Sequence, residues 1–154
     1  MDLYDEFRTL VEALNEARVP YALCGGMAMA VHDVPRATVD IDLMVSEAGL
    51  EGVVSVAREL GFTLDSGELQ FRDGDIRIRR LLKPDPEAGD SLVLDLLLVT
   101  PATRSAWESR TVFQLEWGPV SVVGREGLVE LKALRDSGRD RDDIARLRGE
   151  GDDT

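Results

Sequence analysis

The stretch CGGMAMAVHDVPRATVDIDLMV, residues 24–45, decides how the rest of the chain is interpreted. It has two adjacent glycines near its start and ends with two aspartates, Asp40 and Asp42, separated by one isoleucine. Residues two apart in a strand point to the same face. The spacing therefore predicts a strand over residues 38–45 with both carboxylates on one side. Two acids on one strand face are also typical of a solvated surface, so the metal interpretation depends on further partners.

The glycines Gly25 and Gly26 follow an apolar run that predicts a short strand over residues 21–24, and a helix is predicted over residues 27–31. Glycine adopts positive φ and lets another group approach the backbone closely. Backbone amides at such a strand-to-helix turn suit phosphate oxygens. Taken alone the pair is best explained as an ordinary turn, and its position ahead of two acids makes it a candidate phosphate-binding loop.

A third acid, Asp95, lies in the most hydrophobic segment of the chain, LVLDLLLV at residues 92–99. A lone carboxylate in an apolar strand is costly unless a cation or hydrogen-bond donors pair with it. If this strand lies beside the strand of Asp40 and Asp42, the three acids converge. Carboxylate oxygens suit Mg²⁺, and two such ions about 3.5–4 Å apart would clamp an in-line displacement at phosphorus.

The net charge of −12 over 154 residues argues against broad electrostatic binding to nucleic acid. The basic residues nevertheless cluster, and local positive patches on an acidic protein can receive a triphosphate or a segment of RNA. Arg36 and Lys132 are the candidates for contacting a triphosphate, although Arg36 is equally explained by pairing with a nearby aspartate. The two clusters are Arg72, Arg77, Arg79, Arg80 and Lys83, and Lys132, Arg135, Arg139, Arg141, Arg146 and Arg148.

The alternation of helical and strand-like segments predicts an α/β or α+β fold, with a mixed, partly antiparallel sheet, flanking helices and a C-terminal helix pair. One domain is expected over residues 1–154, with a core at about 19–124 and the C-terminal helices at about 125–149. A hairpin is predicted at Asp73-Gly74, with strands 68–72 and 76–82, followed by a loop over residues 83–90.

The cellular setting is predicted from what the sequence does not contain. No apolar run is long enough to span a bilayer, and the first residues are acidic where a signal peptide would be basic. A soluble, cytoplasmic protein with no membrane partner is expected. The single cysteine, Cys24, is interpreted as a small buried hydrophobic residue.

The ordered set of Gly25-Gly26, His32, Arg36-x-Thr38, Asp40-x-Asp42 and a distant Asp95 resembles the DNA polymerase β-like nucleotidyltransferase superfamily. Of these residues, His32 is interpreted as a structural residue that hydrogen-bonds at a helix end, outside the site. The resemblance is to its small bacterial branch, which includes abortive-infection toxins and minimal nucleotidyltransferases. The tail GREGLVELKALRDSGRDRDDIARL, residues 124–147, looks like the helix-turn-helix ending of that branch. The resemblance covers most of the chain and implies the nucleotidyltransferase fold.

Carried over by position, the resemblance implies roles for particular residues. The three acids would be metal ligands and catalytic residues, with Asp95 also accepting the proton of the attacking hydroxyl. The implied cofactor is Mg²⁺, with Mn²⁺ as an alternative, and the donor substrate is a nucleoside triphosphate (NTP). One departure is Met27, where many members have a serine that contacts phosphate. The implied nucleotide-binding residues are Gly25, Gly26, Arg36, Thr38 and Lys132.

Three functions follow from this reading. The leading one is a Mg²⁺-dependent nucleotidyltransferase that moves a nucleoside monophosphate (NMP) from an NTP to an acceptor hydroxyl on RNA, protein or a small molecule, with the toxin of a toxin–antitoxin system as its biological role. The second is a catalytically weak or inactive chain of the same fold that acts as a binding partner in a toxin–antitoxin pair, with a cognate antitoxin protein. The third, a sugar-nucleotide transferase using Asp-x-Asp, leaves Asp95 unexplained.

Overall fold

The computed structural model describes residues 1–35 and 37–149. Its helices are α1 (Leu3–Ala17), α2 (Gly25–Val31), α3 (Leu50–Glu59), α4 (Arg104–Glu108), α5 (Arg125–Arg135) and α6 (Gly138–Leu147). Its strands are β1 (Ala22–Cys24), β2 (Ile41–Val45), β3 (Leu64–Phe71), β4 (Ile76–Asp85), β5 (Asp90–Leu98), β6 (Thr111–Leu115) and β7 (Gly118–Val122). The predicted α/β class, with its mixed sheet and flanking helices, is confirmed.

The seven strands form one sheet in the order β3-β4-β5-β2-β1-β7-β6. Two neighbouring pairs are parallel, β2 with β5 and β1 with β7, and the other pairs are antiparallel. Strand β5 lies between β2 and β4 and is buried at alternate positions, Leu92, Leu94, Leu96 and Leu98. The most apolar segment of the sequence therefore occupies an interior position in the sheet, where burial of apolar surface stabilises it most.

Helix α1 forms because its apolar residues recur at helical spacing and its first turn is capped. The Asp2 side chain accepts a hydrogen bond from the Asp5 backbone N–H at 3.1 Å, a preferred arrangement at a helix start. Its apolar stripe is buried in the core and includes Phe7, Leu10, Val11 and Leu14. Helices α1 and α3 contact each other, and α2 contacts β2 and α5.

The C-terminal helix pair is present, as predicted. Helix α6 begins with a capping box, in which Ser137 and Asp140 satisfy each other's backbone N–H groups at 3.0 and 3.1 Å. The sequence Ser-Gly-Arg-Asp encodes this reciprocal pair, which stabilises a helix start. Helix α5 contacts α4, α2 and α6, and so joins the helix pair to the rest of the fold.

Two predicted boundaries differ from the structure. Strand β2 begins at Ile41 and not at Thr38, because its pairing with β5 starts at Ile41 and its pairing with β1 reaches only Asp42. The predicted loop over residues 83–90 is shorter, since β4 continues to Asp85 and a tight turn leads directly into β5.

None of the helices within residues 1–35 and 37–149 combines the length and the apolar character that a membrane span requires.

Candidate active site

Three charged side chains lie in one row across neighbouring strands. Asp42 of β2 is the register partner of Asp95 on β5, and Asp95 is in turn the partner of Arg80 on β4. Residues directly opposite each other on adjacent strands have side chains on the same face. The parallel pairing of β2 with β5 thus brings together two acids that are 53 residues apart in sequence.

Arg80 binds Asp95 through two hydrogen bonds. Its Nε donates to Oδ1 at 2.8 Å and its terminal nitrogen donates to Oδ2 at 3.0 Å. Such a paired contact is the strongest form of an Arg–carboxylate interaction. It gives Asp95 the cationic partner that an acid in an apolar strand requires.

Sequence reasoning missed Arg80, although the sequence contained a signal for it. In IRIRR, residues 76–80, Arg77 and Arg79 share one face, so Arg80 must point to the other. Arg77 pairs with Glu68 at 2.9 Å, and Arg79 pairs with Asp65. Those two arginines form the charged outer face of the hairpin that their alternation predicts, and Arg80 faces the acids.

Asp42 is a half-buried carboxylate in an acidic environment. Burial, together with the charges of Asp95 and Asp40, raises the pKa of Asp42 to about 7, against smaller opposing effects of Arg135 and Lys132. A carboxyl group with this pKa is protonated much of the time at neutral pH. The position therefore favours a further cation, because Arg135 and Lys132 do not outweigh the effects that raise this pKa.

Asp40 lies just before β2, at a bend, and is half-buried. Asp40 therefore lies outside the observed strand, although the strand predicted over residues 38–45 included it. It still lines the same cleft as Asp42 and Asp95. Burial, followed by the charge of Asp95, raises the pKa of Asp40, while Arg80 lowers it.

Gly25 is the point of closest backbone approach to Asp42. It has a φ of +69°, and a Cβ atom built on it would lie 2.2 Å from Oδ2 of Asp42. Only glycine fits here, because a side chain would occupy the space of the carboxylate and because positive φ is unfavourable for other residues. Helix α2 begins at Gly25 itself, two residues earlier than predicted.

We expect Gly25→Ala to destabilise the protein by about 1–3 kcal/mol more than Gly89→Ala, because forced overpacking adds to the backbone strain. Gly89 is a matched control, since its φ of +71° is nearly the same and a Cβ atom there meets nothing within 4 Å. Urea unfolding of the two variants measures the difference. Equal losses of unfolding free energy at the two positions would show that the Asp42 carboxylate moves aside without a cost in stability.

The other predicted nucleotide-binding residues are placed as follows. Gly26 and Thr38 line the cleft with the acids, and the Thr38 hydroxyl donates to the Asp40 carbonyl oxygen at 3.3 Å. Arg36 lies outside the described residues. Met27 is buried in α2 and is not among the residues that line the cleft.

Lys132 on α5 is buried, with its side chain 7% exposed. Its Nζ lies 3.1 Å from Oδ2 of Asp143 and 3.8 Å from Oδ1 of Asp140, both on α6. Oδ1 of Asp140 is buried without a hydrogen-bond partner. Lys132 also lines the cleft. Lys132 is therefore not a solvent-exposed surface charge, because the helix pair holds its ammonium group at the wall of the cleft.

The cleft has a volume of about 700 Å³, within the range of pockets that hold a small ligand. Its floor carries the acids and its glycine wall is Gly25 and Gly26. Many of the other lining residues are apolar or basic. They include Leu69, Phe71, Arg72, Ile76, Ile78, Arg135 and Arg139.

Comparison with known proteins identifies this architecture. No protein-family model matches the chain, and no curated protein sequence matches it. Solved structures do match it, and three of them are described below, each with a TM-score of at least 0.60. The chain has the nucleotidyltransferase fold.

TM1012 of Thermotoga maritima, a proposed nucleotidyltransferase, matches with a TM-score of 0.60 and 15% identity over 95% of this chain and 90% of that one. ANT(2″)-Ia, solved with adenylyl-2″-tobramycin, matches with a TM-score of 0.64 and 14% identity over 93% and 86%. The lincosamide antibiotic adenylyltransferase LnuA, solved with lincomycin bound, matches with a TM-score of 0.64 and 14% identity over 95% and 96%.

The acids of this nucleotidyltransferase fold meet some of the requirements for binding a divalent cation and not others. Their chemistry fits, because Asp42 and Asp95 offer hard oxygen atoms side by side and crowd negative charge. Their arrangement is incomplete: within residues 1–35 and 37–149 no three His, Cys, Asp or Glu side chains are grouped as metal ligands. Arg80 takes both oxygens of Asp95 and compensates the charge that a cation would otherwise compensate.

His32 and Cys24 have structural roles in this fold. The Nε2 atom of His32 lies 2.8 Å from the carbonyl oxygen of Val123, and its ring packs edge-on against Phe113. His32 also ends α2, as expected for a residue that hydrogen-bonds at a helix end. Cys24 is buried, and that burial raises the pKa of its thiol well above the usual range.

Proposed function

We propose that the protein transfers an NMP from an NTP to an acceptor hydroxyl and releases pyrophosphate, with Mg²⁺ or Mn²⁺ as the cofactor. One observation carries the proposal. Asp42 and Asp95 stand side by side on parallel strands, at the floor of a cleft whose glycine wall approaches Asp42 so closely that no side chain fits. The fold shared with adenylyltransferases supports the same reaction class.

The acids Asp40, Asp42 and Asp95 are the proposed ligands for the cation. When bound, a divalent cation offsets charge on the phosphoryl oxygens and on the carboxylates. The acceptor oxygen forms a bond to the α-phosphorus, the bond from that phosphorus to the bridging oxygen breaks, and pyrophosphate leaves. The proton of the acceptor hydroxyl passes to Asp95. Arg80 must release at least one oxygen of Asp95 for this to occur.

The donor triphosphate lies, in this proposal, between the glycine wall and α5. Gly25 and Gly26 allow phosphate oxygens to approach the backbone, and Lys132 supplies a buried positive charge. Thr38 lies ahead of β2, and Thr38 and Arg36, the latter outside the described residues, complete the proposed nucleotide site. Catalysis by such a site is mainly positioning and charge neutralisation.

A second candidate function has an observation of its own in its favour. Because Arg80 already satisfies Asp95 through two hydrogen bonds, the chain could serve as a catalytically weak member of the fold. Its role would then be binding a partner protein in a toxin–antitoxin pair. In the leading proposal the same chain is the active toxin, and a cognate antitoxin protein is its partner.

Incubation with each α-labelled NTP tests the proposal directly. The reactions contain Mg²⁺ or Mn²⁺ and, as acceptors, total RNA, cell protein, lincomycin or tobramycin. We expect metal-dependent label transfer to one acceptor class, abolished by EDTA and by Asp42→Asn. Asp90→Asn, an exposed change at the start of the same strand as Asp95, is the control. Nucleotide binding without transfer under every condition would favour the second candidate.

A further inference from the structure

The face of the sheet that carries the acids continues outward as an apolar surface. On β4, Ile76 and Ile78 alternate with Arg77 and so share a face with Arg80. Their partners on β3 are Phe71 and Leu69, respectively. These four apolar residues therefore extend the face from the acids to the edge of the sheet, where β3 is the last strand.

The end of this surface is unusually exposed for apolar side chains. Phe71 is 50% exposed and Leu69 is 42% exposed, and both line the cleft. An exposed aromatic ring beside an aliphatic side chain, in a cleft lined with charges, is typical of a binding site for a planar ring. We call this surface, formed by Leu69, Phe71, Ile76 and Ile78, the apolar wall.

Three arginines border the apolar wall. Arg72 follows Phe71 directly, and its terminal nitrogen donates to the carbonyl oxygen of Arg135 at 3.1 Å, which connects the end of β3 to the end of α5. Arg139, at the start of α6, is exposed and has no ion pair or hydrogen bond within residues 1–35 and 37–149. The border is thus positive on a chain whose net charge is −12.

Within residues 1–35 and 37–149, Arg72 and Arg139 have no acidic partner, whereas Arg135 pairs with Asp140 at 3.4 Å. Asp95 is paired with Arg80, and Asp140 is 1% exposed and is also held by Ser137 and Lys132. Asp40 and Asp42 are half-buried, and Asp42 lies against Gly25. A cationic acceptor would therefore meet like charges on the apolar side of the cleft, whereas an anionic one would meet complementary charges.

We infer that the apolar wall is the acceptor site, and that the acceptor is the 3′ end of a single-stranded nucleic acid. Its terminal base stacks on Phe71 and Leu69, and its phosphates contact Arg72 and Arg139. This inference rests on the proposed function, because it assumes that the glycine wall holds the donor. Aromatic stacking combined with a positive groove is the arrangement by which proteins bind single strands.

The other acceptor classes fit the wall less well. A polycationic antibiotic is repelled by the arginine border. A hydroxyl group on a protein acceptor would make no specific contact with the exposed ring of Phe71 or with the guanidinium of Arg139. Since only two or three arginines are involved, the electrostatic contribution is local, which is consistent with the acidic net charge of the whole protein.

Fluorescence anisotropy of a labelled single-stranded RNA octamer, with the full chain in EDTA and no nucleotide, tests the inference. We expect binding to weaken about fivefold or more in Phe71→Ala, as for loss of one stacked base. In Arg139→Gln the slope of log affinity against log salt should fall by about one. Phe71→Leu, which keeps an apolar side chain in the wall, should show most of the loss seen with alanine.

Matched controls are Arg104→Gln and Val112→Ala, an exposed arginine and an exposed apolar residue that do not line the cleft. Neither should alter binding. Equal binding by wild type and Phe71→Ala, or an equal effect of Arg104→Gln and Arg139→Gln, would overturn the inference. Preferential binding of tobramycin or lincomycin over the octamer would also overturn it.

Binding of a fluorescent ATP analogue with Mg²⁺ separates this inference from the proposed function. If the protein binds the ATP analogue but not the octamer, the nucleic-acid acceptor is rejected and the proposed nucleotide transfer is not. Octamer bound at the apolar wall without any nucleotide binding supports the wall as a nucleic-acid site and rejects the transfer reaction.

Discussion

Asp42→Asn is expected to reduce NMP transfer by about 100- to 1000-fold, the usual loss when one preorganised electrostatic contact in an active site is removed. The same substitution should make the metal-free protein more stable at pH 8. Both effects come from one property: Asp42 is half-buried beside two other acids, and burial together with their charges raises its pKa to about 7. A buried charge that a cation would neutralise is unfavourable when no cation is present.

The sign of the pH dependence follows from that pKa. The folded protein holds a proton on Asp42 up to about pH 7, whereas the unfolded chain releases it near the ordinary value of 3.8. Stability therefore falls as pH rises between about 4 and 7, and the penalty is complete above pH 7. At about 1.4 kcal/mol for each pH unit, the penalty that asparagine removes is at most about 4 kcal/mol.

Urea unfolding in EDTA at pH 4 and pH 8 measures this effect. The Asp42→Asn variant should be more stable than wild type at pH 8 and about as stable as wild type at pH 4. Asp90→Asn should behave like wild type at both values. Equal stability of Asp42→Asn and wild type at pH 8 would mean that Asp42 is not desolvated and that the acid cluster needs no cation.

Lys132→Met is expected to destabilise the protein by about 3–5 kcal/mol, the cost of removing one partner from a buried ion pair. The lysine side chain is 7% exposed, and the carboxylates of Asp140 and Asp143 are 1% and 6% exposed. Methionine fills a similar volume but removes the ammonium group that both carboxylates contact.

The chain's other lysine provides the control. Lys83 contacts Glu6 at 2.8 Å with 24% of its side chain exposed, so Lys83→Met should cost about 1 kcal/mol or less. The double variant Lys132→Met/Asp143→Asn should recover part of the stability, because one buried charge is removed with its partner. It should not recover NTP binding. Recovery of both would assign Lys132 to the structure alone, and a small loss in Lys132→Met would contradict its burial.

The acids, the glycine pair and the helix pair could all be predicted from the sequence, because each depends on local rules. An Asp in the middle of LVLDLLLV is costly wherever the strand lies, and Gly25-Gly26 before a helix marks a special turn in any fold. Ser137 and Asp140 form a capping box three residues apart. The ligand roles of the three acids and the nucleotide roles of Arg36, Thr38 and Lys132 remain predictions.

What the tertiary structure alone decided is which of these local features meet. The register of β2 with β5 places Asp42 opposite Asp95, and the register of β4 with β5 places Arg80 on the other side of Asp95. Packing of α6 against α5 buries Lys132 between two acids. Strand periodicity specifies the face on which a side chain lies, but not the neighbouring strand or its alignment, because pairing depends on contacts between distant segments. The charged groups of the site could therefore be identified from the sequence, whereas their partners were determined only by the fold.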